Sequence, residues 1–165
     1  MIKLNLGCGN DYLQGYTNVD FYAEYPVDAK FDIRHVPYED NSIDEIMAIH
    51  VIEHFDYHES VLVLQEWRRV LKPGGKLTME TPDFTESCRE FLISDEQAQV
   101  NLMGHFLSEP WIPGQTHKML FTERQMRQHL GWAGFDVSRV VKIPPLSKYV
   151  GIYPAHVFLC VEVTK

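Results

Sequence analysis

The chain has 165 residues, 45% of them hydrophobic and 23% charged, with a formal net charge of −8 at pH 7. That length supports one domain with a buried core, while the acidic balance argues against broad binding to nucleic-acid phosphates. No apolar run is long enough to cross a bilayer, the opening Met1-Ile2-Lys3 reads as a start without a leader, and the cysteines at 8, 88 and 160 show neither metal-ligand spacing nor a paired framework, so a cytoplasmic, reducing setting is expected.

Residues 2–6 read as a short buried strand that ends in the turn Gly7-Cys8-Gly9. Residues 18–21 form a second apolar run that hands over to Asp20. The gap between them is short. A crossover between parallel strands usually takes a dozen or more residues and a helix, so only a turn or one helical turn fits here. Residues 23–27 make a loop around Pro26, and 30–33 a short third strand. After a turn at 39–42, residues 43–49 read as a buried strand leading into His50-Val51-Ile52-Glu53-His54-Phe55.

Val61, Leu64, Trp67 and Leu71 recur at helical spacing and predict a helix over 57–71, stopped by Pro73-Gly74-Gly75. A strand at 76–80 runs into Thr81-Pro82-Asp83. A helix over 85–92 follows, and 94–104 either continues it or starts another. Residues 104–114 read as an irregular loop or lid. Thr122 and Gln125 form a capping box, with Phe121 as the hydrophobic staple, and open a further helix. Residues 135–143 and 155–163 read as a terminal antiparallel pair. No repeat or domain boundary is visible, so the whole chain reads as one domain.

A parallel α/β sheet binds nucleoside ligands at strand ends where the strand order reverses. Glycines at 7 and 9 let backbone approach a ligand closely, and Asp20 is placed to accept hydrogen bonds from ribose hydroxyls. His-Val-Ile-Glu-His over 50–54 is not the His-Glu-x-x-His zinc pattern, so no metal is expected. The Arg68, Arg69 and Lys72 cluster reads as a solvated helix end.

Several pieces together resemble the class I S-adenosylmethionine-dependent methyltransferases, closest to the type 11 group. Leu4-Asn5-Leu6-Gly7-Cys8-Gly9 resembles the glycine-rich first motif, and Asn18-Val19-Asp20 the strand with the ribose-binding acid. Phe31-Asp32-Ile33 with Val36-Pro37-Tyr38 resembles the segment near the adenine, and 50–55 the motif beyond the strand at 43–49. Val70-Leu71-Lys72-Pro73-Gly74-Gly75-Lys76-Leu77, His117–Thr122 and Gly134-Phe135 resemble later pieces in the same order.

The resemblance implies a Rossmann-like, seven-stranded, mostly parallel sheet with an antiparallel last strand, and S-adenosylmethionine as cofactor. It implies that Gly7, Cys8 and Gly9 pass under the methionine part and that Asp20, with Phe21 beside it, holds the ribose. Asp32 would receive the adenine amino group, Ile33 would pack on the ring, and His50 and Val51 would line the other side. Asn5 stands where many relatives carry an acid. Cys8 needs no redox or nucleophilic role.

Methyl transfer requires an aligned nucleophile and, for a hydroxyl or amine, a proton acceptor. His50, His54, Asp83 and His117 are the groups near strand ends that could do this, and the last three are the catalytic candidates, each with a structural alternative. Glu53 and His54 read equally as a capping pair for the next helix, and Asp83 as a helix N-cap. Lys118 is a candidate contact for an anionic group, and His105 a weaker site candidate. Trp111, Phe106 and Tyr12 are either pocket walls or cover for the sheet.

The helices that usually follow the first two strands have no room here. One sheet face is then expected to need cover from residues 86–118 or from a second copy, and at least a weak homodimer is expected. The expected activity is methylation of an oxygen or nitrogen of a small molecule or sugar. Alternatives are a partner-dependent enzyme acting on protein or nucleic acid, and a non-catalytic cofactor-binding protein. An Asn/Asp-Pro-Pro-Tyr signature is absent, and Tyr12 fills the place of the third glycine of a dinucleotide fingerprint.

Overall fold

In a computed structural model of the chain, described over residues 1–108, 114–146, 154 and 157–165, strand alternation divides one sheet into an apolar face and a polar face. The strands are β1 (Lys3–Leu6), β2 (Thr17–Val19), β3 (Ile43–Ile49), β4 (Leu71–Pro82), β5 (Val141–Lys142) and β6 (Phe158–Thr164). Their order is β2-β1-β3-β4-β6-β5. The first four run parallel, and β6 is antiparallel to both β4 and β5. The helices are α1 (Tyr57–Val70), α2 (Phe84–Ile93), α3 (Glu96–Leu107) and α4 (Glu123–Trp132).

Register places Leu4, Ile46, Leu77 and Val163 in one row across the sheet, with Ala48, Met79 and Val161 in the next. All are fully or almost fully buried, in one core with Val63, Leu64, Trp67 and Val70 of α1 and Met126 and Leu130 of α4. Each such side chain contributes about 1.5–3 kcal/mol on burial. Trp67 is wholly buried, and its indole N–H finds a partner in the Ile33 carbonyl at 3.0 Å, as a buried indole requires.

The opposite face is polar at its amino end. Lys3, Glu45 and Lys76 are register neighbours on β1, β3 and β4. Glu45 pairs with Lys3 at 2.7 Å and Lys76 at 3.3 Å, and Lys76 reaches Glu162 on β6 at 3.3 Å. The Tyr16 hydroxyl donates to Glu45 at 2.6 Å, and its ring lies under the Lys3 ammonium. A parallel sheet normally hides both faces under helices. Here charged side chains replace apolar ones at this end.

Asn18 replaces the missing crossover helix between β1 and β2. Its side-chain oxygen accepts from Leu13 N–H and Asn5 Nδ2, and its amide group donates to the Leu13 and Tyr16 carbonyls and to Asp28. A fully buried amide that uses all its hydrogen-bonding capacity can fold a short loop back on itself.

The predicted helix at 57–71 and the Thr122–Gln125 capping box are present, with Phe121 buried in the same core as Met126. Residues 85–92 and 94–104 fall in two separate helices, each with an aspartate N-cap, Asp83 and Asp95. Three strand expectations change. The sheet has six strands among the described residues, not seven, because 30–33 does not pair: the Asp32 carboxylate turns back onto the Arg34 N–H, and His35 N–H closes onto the Asp32 carbonyl. Such local bonds compete with strand pairing. The run at 18–21 pairs only as far as Val19. Of 135–143 only Val141–Lys142 form a strand, continued by the bond from Ile143 N–H to the Cys160 carbonyl at 3.0 Å, since Asp136 caps a short 3₁₀ turn over Val137–Arg139. Among the described residues no helix is long and apolar enough to cross a membrane. Trp111 and part of the 104–114 loop lie outside the described residues.

Candidate active site

The chain passes from β1 to its neighbour β2 and then returns to the other side of β1 with β3. The strand order therefore reverses between β1 and β3, the place where open α/β sheets take ligands. Immediately after β1, Gly7 and Gly9 adopt φ values of +64° and +52°. A Cβ on Gly7 would stand 2.7 Å from Val51 Cγ2, so only glycine fits that approach. Cys8 N–H donates to the Val19 carbonyl at 3.0 Å, Gly9 N–H donates to Asp20 Oδ2 at 2.9 Å, and Tyr22 N–H donates to Asp20 Oδ1 at 2.8 Å. Each carboxylate oxygen keeps a further lone pair for a ligand hydroxyl.

A cavity of about 820 Å³ opens at this point. Gly7, Asp20, Phe21, Asp32, Ile33, His50 and Val51 all line it, which gathers seven of the ten residues expected at the cofactor. Asn5, Cys8 and Gly9 do not line it. Asn5 is 3% exposed, and its amide donates to Asn18 and to the Asp11 carbonyl, so it builds the loop beneath. Cys8 is buried, and burial followed by the nearby Asp20 charge pushes its thiol up to about 11. It is therefore neutral at pH 7. Asp32 is already forked by Arg34, at 2.9 Å to Nε and 2.7 Å to Nη2, and this holds its carboxyl below the usual range. Tyr22, Tyr25, Gln115 and Thr116 also line the cavity and carried no sequence signal.

A column of acids and histidines stands behind the cavity. His50 is a non-glycine residue at φ +54°, a conformation that costs of order 1–3 kcal/mol and persists only where its surroundings hold it. Its N–H donates to the Glu80 carbonyl at 2.8 Å. Its ring bridges two buried carboxylates, with Nδ1 3.0 Å from Glu53 and Nε2 3.3 Å from Glu80. Burial opposes charge on the imidazole, but Glu53 and Glu80 outweigh it and raise His50 to about 9. Glu53 is likewise opposed by burial and held down to about 2, mainly by His50.

Glu53 is not a capping residue. The cap of α1 is Asp56, in a box with Glu59. The Glu53 carbonyl accepts from Lys118 N–H at 2.8 Å and Met119 N–H at 3.1 Å, which docks the 117–119 segment against residues 52–54. This brings the His54 and His117 rings together, 4.9 Å between centroids. His54 Nδ1 donates to the Thr116 carbonyl at 3.2 Å, and His117 Nδ1 to the Phe106 carbonyl at 3.1 Å. A carbonyl can only accept, so each Nδ1 carries a proton and, in the neutral ring, each Nε2 keeps a lone pair. Burial lowers the pKa of His117 below its ordinary value, despite Glu53 nearby.

His54 lines the cavity, whereas His117 sits behind it. Asp83 does not line it: its Oδ1 accepts from Thr85 and Glu86 N–H at 3.0 and 3.3 Å, and its side chain is 4% exposed. Lys118 and Glu59 face each other at the rim, 3.5 Å apart. His105 is buried in α3 against Phe158. Phe106 packs on Phe84, and Tyr12 donates to Asp28, so neither walls the cavity. Two members of the basic cluster are engaged by the fold: Arg69 forks Glu66 and donates to the Val36 and Tyr38 carbonyls, and Lys72 pairs with Asp44.

Residues 4–79 match the family described as a methyltransferase domain, of type 11. A curated protein of Methanocaldococcus jannaschii, itself uncharacterised, is 34% identical over 64 residues, covering 39% of this chain and 27% of that protein. The chain thus spans about a quarter of the length of that relative. Among solved structures, a S-adenosylmethionine-dependent methyltransferase of Thermotoga maritima aligns at TM-score 0.65 and 16% identity, over 99% of this chain and 82% of the other. One from Archaeoglobus fulgidus aligns at TM-score 0.64 and 17% identity, over 99% and 85%. A chain described as a methyltransferase, in complex with the Haloferax volcanii Trm112 methyltransferase activator, aligns at 0.63 and 16%, over 99% and 81%. The chain has the fold of the class I S-adenosylmethionine-dependent methyltransferases, and its residues 4–79 carry the type 11 methyltransferase domain pattern.

Proposed function

We propose that the protein transfers a methyl group from S-adenosylmethionine to an oxygen or nitrogen of a small molecule or sugar. The observation that carries this reading is the cavity at the β1/β3 reversal, where Gly7, Asp20, Phe21, Asp32, Ile33, His50 and Val51 surround one volume. The cofactor supplies an electrophilic methyl on a sulfonium, whose sulfur leaves neutral.

The chain's own part is to bind, align and accept a proton. Asp20, fixed through Gly9 and Tyr22, accepts from the ribose hydroxyls. Ile33 and Phe21 offer apolar contact to the base, and Asp32 shares its carboxylate between Arg34 and the adenine amino group. Gly7 lets the backbone lie close against Val51 beneath the methionine part. His54 offers its Nε2 lone pair at the acceptor end, with His117 behind it. Asp83, committed to capping α2, has no part in this reading. A volume of about 820 Å³ suits a nucleoside cofactor with a small acceptor, and the consumption of Arg69 and Lys72 in ion pairs speaks against a polyanionic one.

Turnover is read by incubating the protein with labelled S-adenosylmethionine and panels of small hydroxyl, amine and sugar acceptors. Label transfer that falls at least tenfold in His54→Ala, with cofactor affinity kept, supports the reading. Transfer only to protein or nucleic acid contradicts it.

A further inference from the structure

Among the described residues, one group of side chains has metal-ligand geometry: Glu53, His54 and His117 each offer a ligand atom, and all three atoms lie within 4.8 Å of one another. We propose that these residues hold one divalent transition-metal ion of the zinc type at the back of the cavity, with a coordination position open towards it.

Three independent features carry the assignment. The first is tautomer. Both histidines give their Nδ1 proton to main-chain carbonyls, of Thr116 and Phe106. That leaves each Nε2 unprotonated, and a carbonyl bond at the second nitrogen is the usual support of a metal-bound imidazole. The second is an unspent buried carboxylate oxygen. Glu53 is 1% exposed, its Oε1 is held by His50 at 3.0 Å, and its Oε2 has no hydrogen-bond partner among the described residues. Such an oxygen costs of order 1–3 kcal/mol or more if left unsatisfied. A cation beside it removes that cost. The third is the frame. Glu53 and His54 are adjacent in one short 3₁₀ turn, and His117 is docked to it through the two amides that bind the Glu53 carbonyl.

His117 Nε2 stands 4.0 Å from the Glu53 carboxylate at Oε1, the oxygen that His50 also holds. Ligand atoms of a tetrahedral zinc site stand about 3.3 Å apart, from bond lengths of about 2.0–2.1 Å. From separations of up to 4.8 Å, side-chain shifts of about 1.5 Å close the set. Two histidines and one carboxylate, with a fourth position open, form a ligand set that zinc uses where it acts on a bound oxygen or sulfur. With the ion bound, His54 Nε2 serves as a ligand and not as the free base, and because His54 lines the cavity the open position of the ion faces the acceptor end. The sequence hides the set because His117 lies far along the chain from the other two ligands.

The site goes beyond the methyl-transfer reading and is tested without turnover. Metal-stripped full-length protein is titrated with Zn²⁺ by calorimetry and with Co²⁺ by visible absorption, beside His54→Ala, His117→Ala and the exposed control His58→Ala. S-Adenosylmethionine affinity is measured on the same samples with and without EDTA. We expect one equivalent of Zn²⁺ at micromolar affinity or tighter, and intense d–d bands of low-coordinate Co²⁺. Each ligand variant should weaken Zn²⁺ by at least about a hundredfold, while His58→Ala keeps it. No stoichiometric Zn²⁺ binding, or affinity unchanged in both ligand variants, overturns the proposal. Cofactor binding that survives EDTA separates loss of this site from failure of the methyltransferase reading.

Discussion

The Gly9 amide donates to Asp20 Oδ2 at 2.9 Å, and this one bond ties the turn after β1 to the acid after β2. The other oxygen of the same carboxylate accepts from Tyr22 N–H. Asp20 therefore organises two backbone segments before any ligand arrives. Asp20→Asn turns one acceptor oxygen into a donor that faces an N–H. The expected cost is about 0.5–1.5 kcal/mol for one lost hydrogen bond, read as a fall of a few degrees in melting temperature. An unchanged melting temperature would show that the two amides find other acceptors.

Gly7 tests how closely the turn approaches the motif beyond β3. An added Cβ meets Val51 Cγ2 at 2.7 Å, on a backbone at φ +64°. Gly7→Ala combines a steric clash with a left-handed penalty of about 1–2 kcal/mol. The double variant Gly7→Ala/Val51→Ala removes the clash and leaves the penalty. Equilibrium denaturation should show partial rescue in the double variant. Full additivity of the two single losses would contradict the contact.

His50 holds the charge balance of the buried column. Removing it leaves Glu53 and Glu80 facing each other's surroundings without the shared imidazolium. His50→Ala is expected to destabilise by about 3–5 kcal/mol, the range for breaking a buried pair. His50→Ala/Glu53→Gln should recover part of that loss, because it removes the stranded charge. Denaturant midpoints measure both. A loss no larger in the single than in the double variant would contradict the pairing.

His105 makes stability fall on acidification. Burial, and secondarily the charge of His50, lowers its pKa from 6.5 to about 4. The unfolded chain then binds a proton that the folded one refuses between those values. The contribution is complete above pH 6.5 and is lost as pH falls towards 4, on the order of 3 kcal/mol. Melting temperatures measured from pH 7 to 4.5 should fall less steeply in His105→Leu than in the parent. Parallel profiles would contradict this.

The legible parts of the chain were those with short-range signals. Gly7, Gly9 and Asp20 sit within one turn and two strands, and α1 and α4 announce themselves by apolar spacing and capping side chains. Residues 30–33 looked like a strand by composition, but the local Asp32–Arg34 bonds won over pairing. Asn18 looked like an ordinary strand residue, although it folds the loop that replaces a helix. The polarity of the second sheet face was hidden because Lys3, Glu45, Lys76 and Glu162 come from four distant strands. Glu53 read as a cap partly for the same reason: the Lys118 and Met119 amides and His117 reach it only by docking of a distant segment.

Cofactor binding tests the central claim most directly. S-Adenosylmethionine and S-adenosylhomocysteine are titrated calorimetrically into the parent protein and into Asp20→Ala. Loss of two charge-assisted hydrogen bonds, about 1.5–3 kcal/mol each, predicts micromolar binding in the parent that weakens by at least about a hundredfold in the variant. A folded parent that binds neither compound, or a variant that binds both as tightly as the parent, would contradict the account.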